Sequence, residues 1–348
     1  MRLSVLDLVP VRSDQSSAQA VAASVSLART ADELGYHRYW VAEHHNMPAV
    51  AATNPPVLIG ILAGATQRIR VGSGGMMLPN HAPLVVAEQF ALLEAAYPGR
   101  IDLGVGRAPG TDQVTAWALR HSGPADADDT VSRFPEIVDN LQAMMDPLGV
   151  SVAVNGRRHA LHATPAAASA PELWLLGSSQ YAAALAAQKG LPYVFAHHFA
   201  SQTTETGQAL ELYRRTYVPS PERPEPRTFL TANLAVAETR AEAERLALPQ
   251  LLTMLRLRTG APLAAQPLVE EAEATPIAEG QQGLLDAMRQ RWIIDDAAGA
   301  AARVRELAER FEVDEVMVNP ITGAVAGTDP ATAPTREETL RLLSGLQS

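Results

Sequence analysis

Short apolar runs alternate with longer amphipathic stretches along the whole chain. Arg2–Leu8 reads as a first strand. A helix near Ala18–Leu34 follows, with Val21, Val25, Ala28, Ala31 and Leu34 recurring at the spacing of one helical face. Gly35 sits just past its end, where a left-handed closing residue is expected. Tyr36–Ala42 is strand two, and Asn54–Ala65 is a helix carrying Pro55 and Pro56 in its first turn. Ile69–Gly72 is strand three before the apolar helix Pro83–Ala96, and Arg100–Val105 is strand four before a helix near Thr130–Met145. The pattern continues with strand five at Glu172–Leu176 and helix Gln180–Lys189, then strand six at Tyr193–Ala196 and helix Thr206–Tyr217. Phe229–Val236 with Arg240–Arg256, and Glu315–Asn319 with Arg336–Leu346, complete the series.

Eight strand-then-helix units in order predict an α/β fold of the (β/α)8 TIM-barrel type, with a doubly wound open sheet as the alternative. The whole chain, 1–348, is expected to form one domain with two insertions. Ser151–His162, after strand four, reads as a small hairpin turning at Asn155-Gly156. Thr259–Asp296, between strands seven and eight, has weak periodicity and scattered Pro, Gly and Glu. A connection of that length reads as a lid or binding loop.

Composition narrows the chemistry. With 47% hydrophobic and 19% charged residues, the 348-residue chain is too apolar for intrinsic disorder. No apolar run approaches the ~20 residues of a membrane span. The N-terminal run lacks the long apolar stretch and cleavage site of a secretion signal, so a cytoplasmic location is expected. A formal charge of −10 argues against nucleic acid as a partner. The absence of cysteine excludes disulfides, thiolate metal sites and cysteine nucleophiles.

A barrel builds its active site after the C-terminal ends of its strands, which turns the sequence into a filter. Glu43, His44 and His45 follow strand two, and Gly72–Met77 follows strand three. Gly106, Arg107 and Asp112 follow strand four, Gly177, Ser178 and Ser179 strand five, and His197 and His198 strand six. With His81, five of the nine histidines fall on this rim. A His44 role in catalysis stands beside that of a structural histidine. Adjacent histidines in a loop do not present the i, i+4 geometry of a helical metal site. Gly104–Pro109 begins like a dinucleotide fingerprint but has Pro109 in the sixth position. Arg107 suits a phosphate, or else pairs with Asp112. Gly177-Ser178-Ser179 before a helix outlines an anion site, or simply an N-cap. Gly74-Gly75 gives a pliable backbone, and the methionines Met76 and Met77 can pack a flat cofactor or fill the core.

Ala42-Glu43-His44-His45-Asn46, Gly72–Pro79 and Tyr97–Arg107 together resemble the bacterial luciferase-like flavin monooxygenases over essentially the whole chain. The resemblance implies reduced FMN as co-substrate, supplied by a separate NAD(P)H-dependent flavin reductase, and dioxygen used to oxidise a small organic molecule. On it, His44 matches the catalytic histidine, a general acid/base suited to moving protons near neutral pH. The cofactor-binding set becomes Gly74, Gly75, Met76, Arg107, Gly177, Ser178, Ser179 and His197, with no metal ligand. Gly74-Gly75 matches a non-prolyl cis peptide, and Arg107, Ser178 and Ser179 match the phosphate site. A homodimer through Pro55–Ala65 and Leu84–Ala96 is implied as well. Two departures stand out. Gly106 replaces the reactive cysteine of light-emitting relatives, which argues against light emission, and Ser178 replaces an acidic residue beside the phosphate. Hydride transfer with a deazaflavin, or flavin binding without turnover, are the alternatives.

Overall fold

Parallel strands covered by helices on one side and packed core on the other read as continuous apolar runs, and such runs form the centre of this chain. The computed structural model describes residues 1–108, 110–120, 131–146, 148–199 and 203–347; Pro109 and Thr130, used above, lie outside them. The strands are β1 (Arg2–Asp7), β2 (Arg38–Val41), β3 (Arg70–Met77), β4 (Ile101–Gly106), the pair β5 (Val150–Val154) and β6 (Arg157–Leu161), β7 (Glu172–Gly177), β8 (Tyr193–Phe195), β9 (Thr228–Ala237), β10 (Ile293–Asp296) and β11 (Glu315–Pro320). Between them lie α1 (Ser17–Glu33), α2 (Pro55–Ala65), α3 (Pro83–Ala96), α4 (Gln113–Arg120), α5 (Phe134–Met145), α6 (Gln180–Gln188), α7 (Thr203–Thr216), α8 (Arg240–Thr259), α9 (Val269–Glu273), α10 (Gln282–Arg291), α11 (Ala297–Phe311) and α12 (Pro334–Leu343).

The sheet closes. β1, β2, β3, β4, β7, β8, β9 and β11 pair in that order, all parallel, and β11 returns to β1. These are barrel strands one to eight, and closure sets aside the open doubly wound alternative. β9 is long enough to do two jobs. Thr228–Leu230 pairs with β8 to shut the barrel, while Leu234–Ala237 pairs with β10 beyond it.

Side chains divide between two layers. Leu3, Val5, Tyr39 and Val71 face the helices, whereas Leu6, Trp40, Trp174, Val194, Phe229 and Met317 fill the barrel. The N-terminal end of the barrel is sealed by charge. Arg38 is fully buried, donating to Asp102 (Nη1 to Oδ2, 2.8 Å) and Glu315 (Nε to Oε1, 2.7 Å), with its guanidinium carbon 4.8 Å from the Trp174 ring centroid. Trp40 Nε1 also donates to Asp102 Oδ2 at 2.8 Å. Buried charges persist only with such complete pairing. The plug leaves the C-terminal end for a cavity.

β5 and β6 form the expected hairpin, with Asn155 (φ 52°) and Gly156 (φ 75°) both in the left-handed region its two-residue turn requires. Residues 259–296 contain α9, α10 and β10. Val269, Leu285, Met288 and Trp292 pack with Leu251 and Leu255 of α8 in a second apolar cluster. Helices of five and ten residues give little periodic signal, which is why this stretch reads weakly in sequence. Among the described residues, no helix is long and apolar enough to cross a membrane.

Candidate active site

Strand three runs further than its apolar pattern indicates, because Gly72–Met77 belongs to β3 rather than to a following loop. Glycines are needed there for close approach. A Cβ on Gly104 would collide with the Ser73 carbonyl oxygen, and one on Gly75 with Leu176 Cδ1. The Gly74-Gly75 peptide is cis, as the resemblance implies. Pairing with β4 passes from Gly74–Gly104 directly to Met76–Val105, so Gly75 is a bulge. That extra residue reverses the alternation beyond it. Met76 turns into the layer between barrel and helices, buried at 2% exposure, and Met77 takes the cavity side. Met76, expected against the cofactor, therefore does not line the cavity, whereas Met77 does.

The cavity, of about 370 Å3, opens at the C-terminal ends of the strands. Its volume lies within the range of small-molecule and cofactor sites, ~300–1,000 Å3. Leu6, Trp40, Val194 and Met317 form its apolar floor; His44, Gly74, Gly75, Gly106, Arg107, Gly177, Ser178, Ser179 and His198 bring backbone and polar groups to its wall. A Cβ on Gly106 would meet Met77 Sδ at an ordinary contact distance of 3.5 Å, so the glycine leaves room beside Met77.

His44 has the most unusual environment. Its Nδ1 is buried with no hydrogen-bond partner among the described residues. Burial pushes its pKa down to about 4, against the pull of Glu43 and with His45 adding to the effect, so the ring is neutral near pH 7. Neighbouring Glu43, fully buried, organises this corner. Its Oε1 accepts from His81 Nε2 (2.7 Å) and His45 Nε2 (2.8 Å), and its Oε2 from the Met77 amide (2.8 Å). Burial opposes ionisation of Glu43, yet these hydrogen bonds hold its carboxyl below the usual range. Glu43 stood on the predicted rim without a role; its carboxylate joins the loop after β2 to the end of β3.

Arg107, at the end of β4, lies over the Tyr181 ring, 4.1 Å from its centroid. Asp112 instead caps α4, accepting from the Val114 and Thr115 amides at 2.9 and 3.0 Å. Across from Arg107, Ser179 is the N-cap of α6 but makes no side-chain cap bond, so the first amides of that helix stay available. Arg107, Ser178, Ser179 and the start of α6 thus converge on one rim of the cavity.

His197 is not part of this cavity. Its Nδ1 is hydrogen-bonded to Thr206 Oγ1 at 2.7 Å, and its ring packs on Phe311, facing a neighbouring cleft. The 3-10 turn His197–Phe199 presents His198 instead, with Nδ1 bonded to Thr231 Oγ1. Burial, with His197 and His44 nearby, lowers the His198 pKa to about 3. The choice between adjacent histidines depends on the turn, which alternation within β8 does not specify.

A closed parallel barrel with its cavity at the C-terminal ends of the strands is the fold of the family to which the sequence points. The chain belongs to the luciferase-like monooxygenase family, whose model matches residues 1–315. It is an oxidoreductase of the monooxygenase kind. It is 40% identical over 316 residues to a luciferase-like monooxygenase of Escherichia coli, covering 91% of this chain and 90% of that one. An N-acetyl-S-alkylcysteine monooxygenase of Bacillus subtilis is 37% identical over 70% of both chains. Among solved structures, apo-MsnO8 superposes with a TM-score of 0.84 at 33% identity, covering 99% of this chain and 98% of the other. Two more distant structures share the fold. One is the FMN-bound oxygenating constituent of 3,6-diketocamphane monooxygenase from Pseudomonas putida (TM-score 0.71, 17% identity, 99% and 96% coverage). The other is an F420-dependent secondary alcohol dehydrogenase (TM-score 0.63, 15% identity, 98% of both).

Proposed function

We propose that the protein is the oxygenase of a two-component system, taking reduced FMN from a separate NAD(P)H-dependent reductase and using dioxygen to oxidise a small organic substrate in the cytoplasm. The observation that carries this reading is a buried His44 Nδ1 without a hydrogen-bond partner among the described residues, together with a helix start lacking a side-chain cap and Arg107 stacked on Tyr181, around one cavity. Reduced flavin, when bound, supplies the electrons with which dioxygen is activated.

The residues of the chain do the rest. Arg107, Ser178, Ser179 and the first amides of α6 hold the phosphate. Gly74 and Gly75 leave the wall free of side chains, so a flat ring can lie against the backbone, and Met77 packs beside it. Leu6, Trp40, Val194 and Met317 exclude water from the floor. His44 is neutral at working pH, so its ring nitrogens can take a proton from the substrate or hand one back. Hydrogen bonding of Glu43 to His45 and His81 keeps the His44 loop in place.

Anaerobic titration with reduced FMN, followed by admission of oxygen, tests the assignment. Flavin reoxidation is expected to be slower in the complex than in free solution and to change in His44→Ala. Reoxidation at the free rate in both proteins defeats it. Tight binding of F420, a deazaflavin, without FMN binding replaces it with hydride transfer.

The helices α2 and α3 expose Val57, Ile61, Val85 and Leu92, an apolar strip suited to a homodimer. Light scattering is expected to give twice the chain mass, and Ile61→Glu with Leu92→Glu to give the monomer. A monomer mass for the unaltered protein rejects this contact.

A further inference from the structure

Beside the cavity lies a second cleft of about 190 Å3, past the end of β8, against the middle of β9 (Ala232, Asn233) and the first residue of β10 (Ile293). Four arginines line it: Arg258 from the end of α8, Arg291 from the end of α10, and Arg303 and Arg310 from α11. Glu306 is the one acid among the lining residues. In a chain of net charge −10, this is a local reversal of sign.

Among the described residues, Arg258, Arg303 and Arg310 form no ion pair, and Arg303 donates only a long bond to the Gln290 carbonyl oxygen at 3.4 Å. Burial lowers the pKa of both Arg258 and Arg303; Arg291 adds to the effect at Arg258, while Asp295 and Glu306 oppose it at Arg303. Like charges gathered in a partly dehydrated cleft are costly unless an anion joins them. Arginine stays charged under such conditions, and its planar fork matches the oxygens of a small oxyanion.

Position makes the cleft relevant to the reaction. His198 lines both the cleft and the main cavity, so its side chain is a wall common to the two spaces. Arg107 and Ser178 follow β4 and β7, whereas the cleft follows β8 and lies on its β9 side. FMN has one phosphate. If that phosphate occupies the Arg107 rim, the cleft is left for a different anion.

We propose that the cleft anchors the acid end of the substrate: a carboxylate or sulfonate seats among Arg258, Arg291, Arg303 and Arg310, and the apolar remainder passes His198 to the cavity where oxidation occurs. This rests on the flavin assignment above. It makes the protein an oxygenase of anionic organic molecules, selected by charge at one end and by shape at the other.

The test uses hexanoate and hexanesulfonate as probes, with methyl hexanoate as the neutral match. Trp292, which lines the cleft, reports binding through its fluorescence. Both acids are expected to bind at least about tenfold more tightly than the ester, a difference within reach of one or two charge-assisted contacts. The double variant Arg258→Gln, Arg303→Gln should abolish that preference while leaving FMN affinity unchanged. Arg258 is exposed and makes no hydrogen bond among the described residues, so Arg258→Gln alone serves if the double variant is unstable. Equal binding of acid and ester overturns the proposal. So does a loss of FMN affinity in the variants, which puts the cofactor phosphate in the cleft. Failure of the flavin assignment itself shows separately, as no FMN binding to either protein.

Discussion

The guanidinium of Arg107 is stacked on the ring of Tyr181, 4.1 Å from its centroid, so a cation from the end of β4 is held against the first turn of α6. Neither residue announces the other in sequence. Their contact fixes a long, otherwise mobile side chain beside the free amides of a helix N-terminus, which is where an anion is best received. Stacking costs the guanidinium none of its hydrogen-bonding edge.

Arg107→Ala should therefore weaken FMN at least about tenfold, the worth of a charge-assisted contact of ~1.5–3 kcal/mol. Riboflavin, which lacks the phosphate, should bind the two proteins alike. Flavin fluorescence titration measures both. Equal losses for the two ligands would show that Arg107 does not serve the phosphate.

Acid should destabilise the fold in a defined window. His44 and His197 have pKa values near 4 and His198 near 3, all below the ordinary 6.5 because burial disfavours the charged ring. Between pH 6.5 and about 4 the unfolded chain binds protons at these sites that the folded chain does not. Stability consequently rises with pH across that window and falls on acidification through it. Melting temperature against pH should show this slope, and His44→Leu should flatten it. An unchanged slope in the variant rules out the neutral, buried state of His44.

Glu43→Gln leaves the geometry nearly isosteric but cannot satisfy His45, His81 and the Met77 amide together. One donor then loses its acceptor, a cost of about 1–3 kcal/mol that urea denaturation should detect. Because the folded pKa of Glu43 lies below its ordinary 4.5, its contribution is present above that value and is lost as pH falls through the folded one. The variant should shed this part of the acid dependence, which begins at about pH 4.5. Unaltered stability would mean the carboxylate is not organising the site.

Glycine positions separate close approach from mere flexibility. Gly104→Ala forces a methyl against the Ser73 carbonyl and should destabilise by about 1–3 kcal/mol, as overpacking does, with flavin affinity falling alongside. Gly280→Ala meets nothing within 4 Å and should leave both unchanged. Comparable melting temperatures for the two variants contradict the tight β3–β4 contact.

Much of the architecture was legible in sequence. Helical spacing after each apolar run located α1, α2, α3, α6 and α8, and Asn155-Gly156 placed the hairpin, because these signals are local. The order of strands and helices implied a barrel, and the rim rule picked out His44, Arg107, Ser178 and Ser179 as cavity residues.

What the sequence determined by itself was thus the set of elements and the strand ends where chemistry gathers. Tertiary structure alone decided which side chain of each adjacent pair faces inward. A bulge at Gly75 exchanged Met76 for Met77, and a 3-10 turn exchanged His197 for His198. It likewise chose Tyr181 over Asp112 for Arg107, drew His45 and His81 onto Glu43, and brought four arginines from three helices into one cleft. The physical reason is common to all of them. Periodicity carries direction only while a strand or helix continues unbroken, and each of these choices falls where regular structure ends or where partners are distant in the chain.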